Sequence, residues 1–146
     1  MRESGVEVLE RRPRVLLVDP RAERRALMRM IVETGQRGGT VVAEAATSIA
    51  AVQALDRSEI DSAVVEIQMP VAEGLATIAA LRAGQPSLVI VVCSFHATSP
   101  TRRQAIAAGA DGYLAKPVSP PDLHAALGTS TARDTSTSPE VSYVSS

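Results

Sequence analysis

The sequence has 146 residues, a net charge of −1 and 45% apolar residues, a composition that suits one globular domain with a buried core. A chain so close to neutral has no overall field that would favour nucleic acid or an anionic membrane. No apolar run approaches the roughly 20 residues of a membrane span. The N-terminal stretch MRESGVEVLERRPR lacks the apolar segment of a signal peptide, so we predict a cytoplasmic protein.

Five short apolar runs alternate with helical patterns along the chain. The runs are RVLLV (14–18), TVVAEA (40–45), SAVVEI (62–67), LVIVVC (88–93) and GYLA (112–115). The third and fourth lack regular polar alternation, which is typical of strands covered by helices on both faces. The pattern therefore predicts an α/β fold of five βα units around a parallel sheet.

Local signals mark the ends of several helices. Apolar residues recur at three- and four-residue steps from Leu27 onward, and Gly35 ends this first helix. Later helices are expected to begin at capping residues that are often followed by proline. These starts are Ser48, Ser99-Pro100 and Ser119-Pro120-Pro121-Asp122, the last of which also has the spacing of a capping box.

The two ends of the chain fall outside this alternation. Residues 1–12 are a charged extension. Residues 128–146 contain ten Ser or Thr in 19 positions and few core formers, which predicts a disordered tail too short and too polar for a DNA-binding domain. The globular domain is therefore predicted to span residues 13–127.

Polar residues lie at the carboxyl ends of four predicted strands: Asp19, Glu66, Ser94 and Lys116. In a parallel sheet these ends share one edge, where ligands bind, so we expect the four side chains to converge. Lys116 is the only lysine among 15 basic residues. A compact ammonium group suits a small anion or a carboxylate in a tight pocket better than a broad guanidinium does.

Other candidate residues carry weaker signals. One arc of the first helix holds four arginines, which form either a basic docking face or a solvated helix face: Arg21, Arg24, Arg25 and Arg29. The single cysteine, Cys93, lies in an apolar run and is predicted to be a buried, inert thiol. His96 and His124 lack the spacing of metal ligands.

Four segments, in order, resemble the signature of the response-regulator receiver domain of two-component signalling. They are VLLVD (15–19), EIQMP (66–70) followed by Gly74, VVCS (91–94) and GADGYLAKP (109–117). The resemblance covers about residues 13–127. It implies a doubly wound, flavodoxin-like (βα)5 fold with strand order 2-1-3-4-5, and a cis bond between Lys116 and Pro117.

The resemblance also implies roles for single residues. In receivers an aspartate after the third strand accepts a phosphoryl group, acids after the first strand help to hold Mg²⁺, and a lysine and a hydroxyl contact the phosphoryl group. By position, Ser94 would be the switch hydroxyl, Tyr113 the aromatic switch and Lys116 the cation. The metal ligands would be Asp19, Glu66 and the backbone carbonyl of Gln68.

Three positions depart from the receiver pattern. Glu66 occupies the phosphoacceptor position, Pro20 replaces the second acid, and Phe95 follows the switch serine where a small residue is usual. The extra methylene displaces the carboxylate by roughly 1.5 Å, so we expect no phosphoryl transfer and weak or absent Mg²⁺ binding. Instead we expect Glu66 to pair permanently with Lys116, unless it is a residual acid with no further role.

Three functions fit these observations. The first is a stand-alone, atypical pseudo-receiver, a non-enzymatic and phosphorylation-independent interaction module in signal transduction. The second is a conventional phosphorylatable receiver of a phosphorelay. The third is a transcription regulator, against which the lack of a helix-turn-helix counts.

We expect the partner to be a protein or a second copy of the chain, not nucleic acid or a membrane. By resemblance it would bind the face formed by the fourth helix, the fifth strand and the fifth helix. This face runs from about Pro100 through Tyr113 to Leu127.

Overall fold

The computed structural model describes residues 11–68, 70–95 and 98–132, with side chains up to residue 128. The strands are β1 (Arg14–Val18), β2 (Thr40–Ala45), β3 (Ser62–Glu66), β4 (Val89–Ser94) and β5 (Gly112–Ala115). The helices are α1 (Ala22–Glu33), α2 (Ser48–Arg57), α3 (Val71–Gly84), α4 (Ser99–Ala108) and α5 (Pro120–Ala132). Within the described ranges, no helix has the length and apolar character needed to cross a membrane.

The five strands form one parallel sheet of order β2-β1-β3-β4-β5. This confirms the predicted flavodoxin-like topology. The order reverses between β1 and β3, and ligand sites in such sheets lie outside the carboxyl ends of the strands at this point. The Lys116–Pro117 bond that follows β5 is cis, as the resemblance implied.

Helices cover both faces of the sheet. Val15 and Leu17 of β1 belong to the core shared with α1 and α5, whereas Leu16 and Val18 belong to the core shared with α2, α3 and α4. All six residues of β4 are buried. Burial on both faces explains why the third and fourth strands read as continuous apolar runs in the sequence.

Two predicted N-caps are wrong by one residue, although the helices begin at Ser48 and Ser99 as predicted. Thr47, not Ser48, caps α2, and Thr98, not Ser99, caps α4. In each case the threonine hydroxyl accepts a hydrogen bond from the amide three residues later, which is the geometry of an N-cap. Ser119 accepts the corresponding bond at the start of α5, as predicted.

Several predicted boundaries also shift. β3 ends at residue 66 and β4 begins at residue 89, each one residue inside the predicted run. Helix α5 continues to Ala132, so residues 128–132 belong to a helix and not to the tail; residues 133–146 lie outside the described residues. Arg12 is part of the folded domain, because its guanidinium donates to carbonyl oxygens of Glu33, Gly35 and Gly39.

Candidate functional site

The sheet brings the four polar residues to one edge. Glu66 and Ser94 are the last residues of β3 and β4, while Asp19 and Lys116 directly follow β1 and β5. The amide of Lys116 donates to the carbonyl oxygen of Ser94 at 2.9 Å, and the amide of Asp19 donates to that of Ala45 at 3.0 Å. Backbone hydrogen bonds between neighbouring strands therefore fix the backbone positions from which these side chains extend.

Glu66 contacts a different cation with each carboxylate oxygen. The ammonium group of Lys116 contacts Oε1, and Nη1 of Arg24 lies 3.8 Å from Oε2. The Glu66 side chain is only 5% exposed. Burial raises the pKa of this carboxyl above its ordinary 4.5, while the contact with Lys116 opposes the rise. The cations therefore favour a charged form that burial disfavours.

Lys116 lies between a carboxylate and an aromatic ring. Its Nζ atom is 5.3 Å from the centroid of the Phe95 ring, within cation–π distance, and its side chain is 13% exposed. Phe95 as a whole residue is 66% exposed. Phe95, which departs from the receiver pattern, thus lies at the protein surface beside a lysine that is mostly shielded from solvent.

Asp19 is buried and takes part in the start of α1. Its Oδ1 atom accepts a hydrogen bond from the amide of Arg21 at 2.9 Å, and its carbonyl oxygen accepts one from Nη1 of Arg25 at 2.6 Å. Pro20, the next residue, is exposed and offers no carboxylate. Part of the hydrogen-bonding capacity of Asp19 is therefore used within the protein.

Ser94 and Tyr113 are both buried beside the site. The Ser94 hydroxyl donates to the carbonyl oxygen of Ile67 at 2.8 Å, which ties the end of β4 to the residue after Glu66. Burial raises the pKa of Tyr113, and a hydrogen bond with Ser94 opposes this shift. A chain of contacts thus leads from the Glu66 segment through Ser94 to β5.

Glutamate side chains pair with the arginines that were predicted to share one arc of α1. Arg25 and Arg29 both pair with Glu44, at 2.9 and 2.6 Å. Hydrogen bonds from these arginines hold the pKa of Glu44 below its usual range. Arg21 pairs with Glu23 at 3.6 Å. The stripe is therefore not an unpaired basic docking face.

The contact of Arg24 with Glu66 is the site feature that the sequence reasoning missed. The sequence pattern places Arg24 only in the basic stripe of the first helix. Its position in the first turn of α1, directly after the segment that carries Asp19, was the available signal. The first turn of α1 starts close to Asp19, so a long side chain in that turn can reach the Glu66 carboxylate.

The donor set does not fit a divalent cation. Mg²⁺ requires near-octahedral oxygen coordination, usually with carboxylates that are free to bind it. Here Glu66 faces two side-chain cations and Asp19 accepts a backbone hydrogen bond. Within the described ranges, no group of three or more acidic, histidine or cysteine side chains could hold a metal.

A cleft of about 470 Å³ adjoins Glu66 on the side of α2 and α3. Its lining includes Pro20, Ile49, Gln68 and Glu73. Gln68, whose backbone carbonyl was a predicted metal ligand, thus lies beside the site. Because Pro20 replaces the second acid of the receiver pattern, the cleft is lined by a proline ring at that position and not by a carboxylate.

The remaining candidate residues have structural surroundings. Cys93 is fully buried, and burial raises the pKa of its thiol to about 12, consistent with an inert side chain. Nε2 of His124 lies 2.9 Å from the carbonyl oxygen of Ile31 and so links α5 to α1. His96 lies outside the described residues.

Residues 15–128 match the family described as the response regulator receiver domain. The chain is 36% identical over 112 residues to a protein-glutamate methylesterase/protein-glutamine glutaminase of Paramagnetospirillum magneticum, covering 75% of this chain and 29% of that protein. It therefore spans under a third of that relative. It is 28% identical to the chemotaxis protein CheY of Halobacterium salinarum, covering 77% of this chain and 92% of CheY.

A solved structure shows the same fold. It is a response regulator protein from Burkholderia pseudomallei with a phosphorylated aspartic acid, a calcium ion and citrate, and it is 27% identical to this chain. The TM-score is 0.69, and the match covers 84% of this chain and 71% of that one.

Proposed function

The chain belongs to the response regulator receiver domain family, and we propose that it acts in signal transduction as a phosphorylation-independent protein-interaction module. Receiver domains are signalling modules and not enzymes. The observation that carries the proposal is the buried Glu66 carboxylate with a cation on each oxygen.

Glu66 is poorly suited to accept a phosphoryl group. In-line attack requires a carboxylate oxygen that is free and correctly placed, and a misplacement of about 1 Å can cost roughly a hundredfold in rate. The side chain is one methylene longer than aspartate, Lys116 contacts one of its oxygens, and the Arg24 guanidinium lies 3.8 Å from the other. With Pro20 in place of an acid, the metal ligands that would offset developing charge are also reduced.

A direct test is incubation with acetyl phosphate and Mg²⁺, followed by intact-mass spectrometry. We expect no phosphoryl adduct. The Burkholderia pseudomallei receiver, whose structure holds a phosphorylated aspartic acid, serves as the positive control for the donor. A Mg²⁺-dependent adduct that maps to Glu66 would contradict the proposal and favour a conventional phosphorylatable receiver.

The proposed partner surface is the face formed by α4, β5 and α5. Two contacts support a link between this face and Glu66: the Ser94 hydroxyl bonds to Ile67, and the Lys116 amide bonds to the Ser94 carbonyl. The same side of the molecule exposes Ile106, whose side chain is 50% accessible. Ile106 is therefore the side chain of this face whose substitution tests contact with a partner.

A pull-down with the full chain, followed by binding measurements on the captured protein, tests this surface. We expect Lys116→Ala and Glu66→Ala to weaken binding or self-association in the same direction, since both break the pair that joins the end of β3 to the residue after β5. Ile106→Ser should weaken binding without altering the pair. If all three folded variants bind like the parent, neither the pair nor this face takes part in binding.

A further inference from the structure

We infer that Arg24 is a resident cation of the site and takes the place of a divalent metal ion beside Glu66. The inference concerns the same site as the proposed function. It rests on the proposed function in one respect, namely that Glu66 does not become phosphorylated. It predicts that the charge balance of the site is complete without Mg²⁺.

The first support is the position of the guanidinium. Arg24 lies in the first turn of α1, which begins just after Asp19, and its Nη1 atom is 3.8 Å from Oε2 of Glu66. Lys116 contacts the other oxygen, Oε1. Arg24 therefore approaches the carboxylate oxygen that Lys116 does not contact.

The second support is the charge balance. Arg24 and Lys116 lie at the two carboxylate oxygens of Glu66, and Asp19 is buried at the same edge of the sheet, so the charges of these four side chains sum to zero. A divalent ion would leave a net charge of +2 in a site whose carboxylates are largely buried. The Arg24 side chain is 32% exposed, so its repulsion of a divalent ion is screened less than repulsion between fully exposed charges.

The third support is the contrast with the neighbouring arginine. Arg21 precedes α1, and its guanidinium lies 3.6 Å from Glu23, where both side chains are more than half exposed. It carries the same charge on the same segment but pairs away from Glu66. Arg21 is therefore a matched control for a charge effect that depends on position.

The test is a titration with Mg²⁺, and separately with Mn²⁺, monitored through backbone amide signals of Asp19 and Glu66. We expect no saturable change in the parent or in Arg21→Ala. Arg24→Ala should show a saturable change in these signals, with an affinity for Mg²⁺ at least about tenfold above the upper limit that the parent titration sets. Arg24→Lys, which restores the charge, should again prevent binding, and Arg24→Gln replaces Arg24→Ala if the latter does not fold.

Thermal unfolding gives a second measurement, since a ligand that binds only the folded state raises the melting temperature. Mg²⁺ should raise it for Arg24→Ala and not for the parent. Saturable low-millimolar binding to the parent, or an unchanged titration in Arg24→Ala, would overturn the inference. The titrations contain no phosphodonor, so they fail or succeed independently of a phosphoryl adduct at Glu66.

Discussion

Replacing Lys116 by methionine removes the ammonium group from Oε1 of Glu66 while keeping most of the side-chain volume. Two unit charges about 4 Å apart attract by about 4 kcal/mol at the effective dielectric constant of about 20 that suits protein sites. The desolvation of both groups offsets part of that attraction. Arg24 stays at 3.8 Å from Oε2 and compensates for another part. We therefore expect Lys116→Met to lower the free energy of unfolding by about 2 kcal/mol near neutral pH.

The loss of stability in Lys116→Met should depend on pH, and the protonation of Glu66 sets the direction of that dependence. Its folded pKa is raised above 4.5, so its contribution to stability is fully present below that value and is lost as pH rises through the folded pKa. Removing Lys116 raises the folded pKa further, because Lys116 opposes the effect of burial. The difference between Lys116→Met and the parent should therefore shrink as the solution is acidified and Glu66 becomes neutral.

Urea denaturation at a series of pH values measures both effects. The double variant Glu66→Gln/Lys116→Met is the control, since it should lose less stability than the sum of the two single variants and should lack the pH dependence. An unfolding free energy of Lys116→Met that equals the parent value near neutral pH would refute the reasoning. So would a difference that stays constant down to acidic pH.

Three further substitutions test other parts of the structure. Arg82 donates to carbonyl oxygens of Pro86, Leu88 and Gly109 and to the Asp111 carboxylate, so Arg82→Ala should cost about 3 kcal/mol in urea denaturation. The exposed Arg103 is its control, with an expected change within about 0.5 kcal/mol for Arg103→Ala. Ser62 is fully buried and its hydroxyl has no hydrogen-bond partner among the described residues, so Ser62→Ala should raise the unfolding free energy by about 1 kcal/mol; a loss of stability would contradict this. Phe95→Ala should speed amine labelling of Lys116 several-fold in peptide mapping, which is readily scored because Lys116 is the only lysine; an unchanged rate would show that the ring does not shield it.

Much of the fold follows from local patterns in the sequence. The five strands lie within one residue of their predicted bounds, because buried β-branched runs and capping residues act over short distances along the chain. The one-residue errors at Thr47 and Thr98 arose where two hydroxyl residues are adjacent and either could cap. The convergence of Asp19, Glu66, Ser94 and Lys116 was also predictable, since the carboxyl ends of parallel strands share one edge.

The tertiary structure decided which long side chains meet. Arg24 and Arg25 are neighbours in one helical turn, yet the first contacts Glu66 on β3 and the second contacts Glu44 on β2. The sequence pattern predicts that both arginines lie on one arc of the helix, but it does not predict which acid each one contacts. The partner of a long, flexible side chain depends on the distance and direction between elements that are remote in sequence. Here that distance and direction depend on how α1 packs across the sheet. No local sequence pattern encodes this packing.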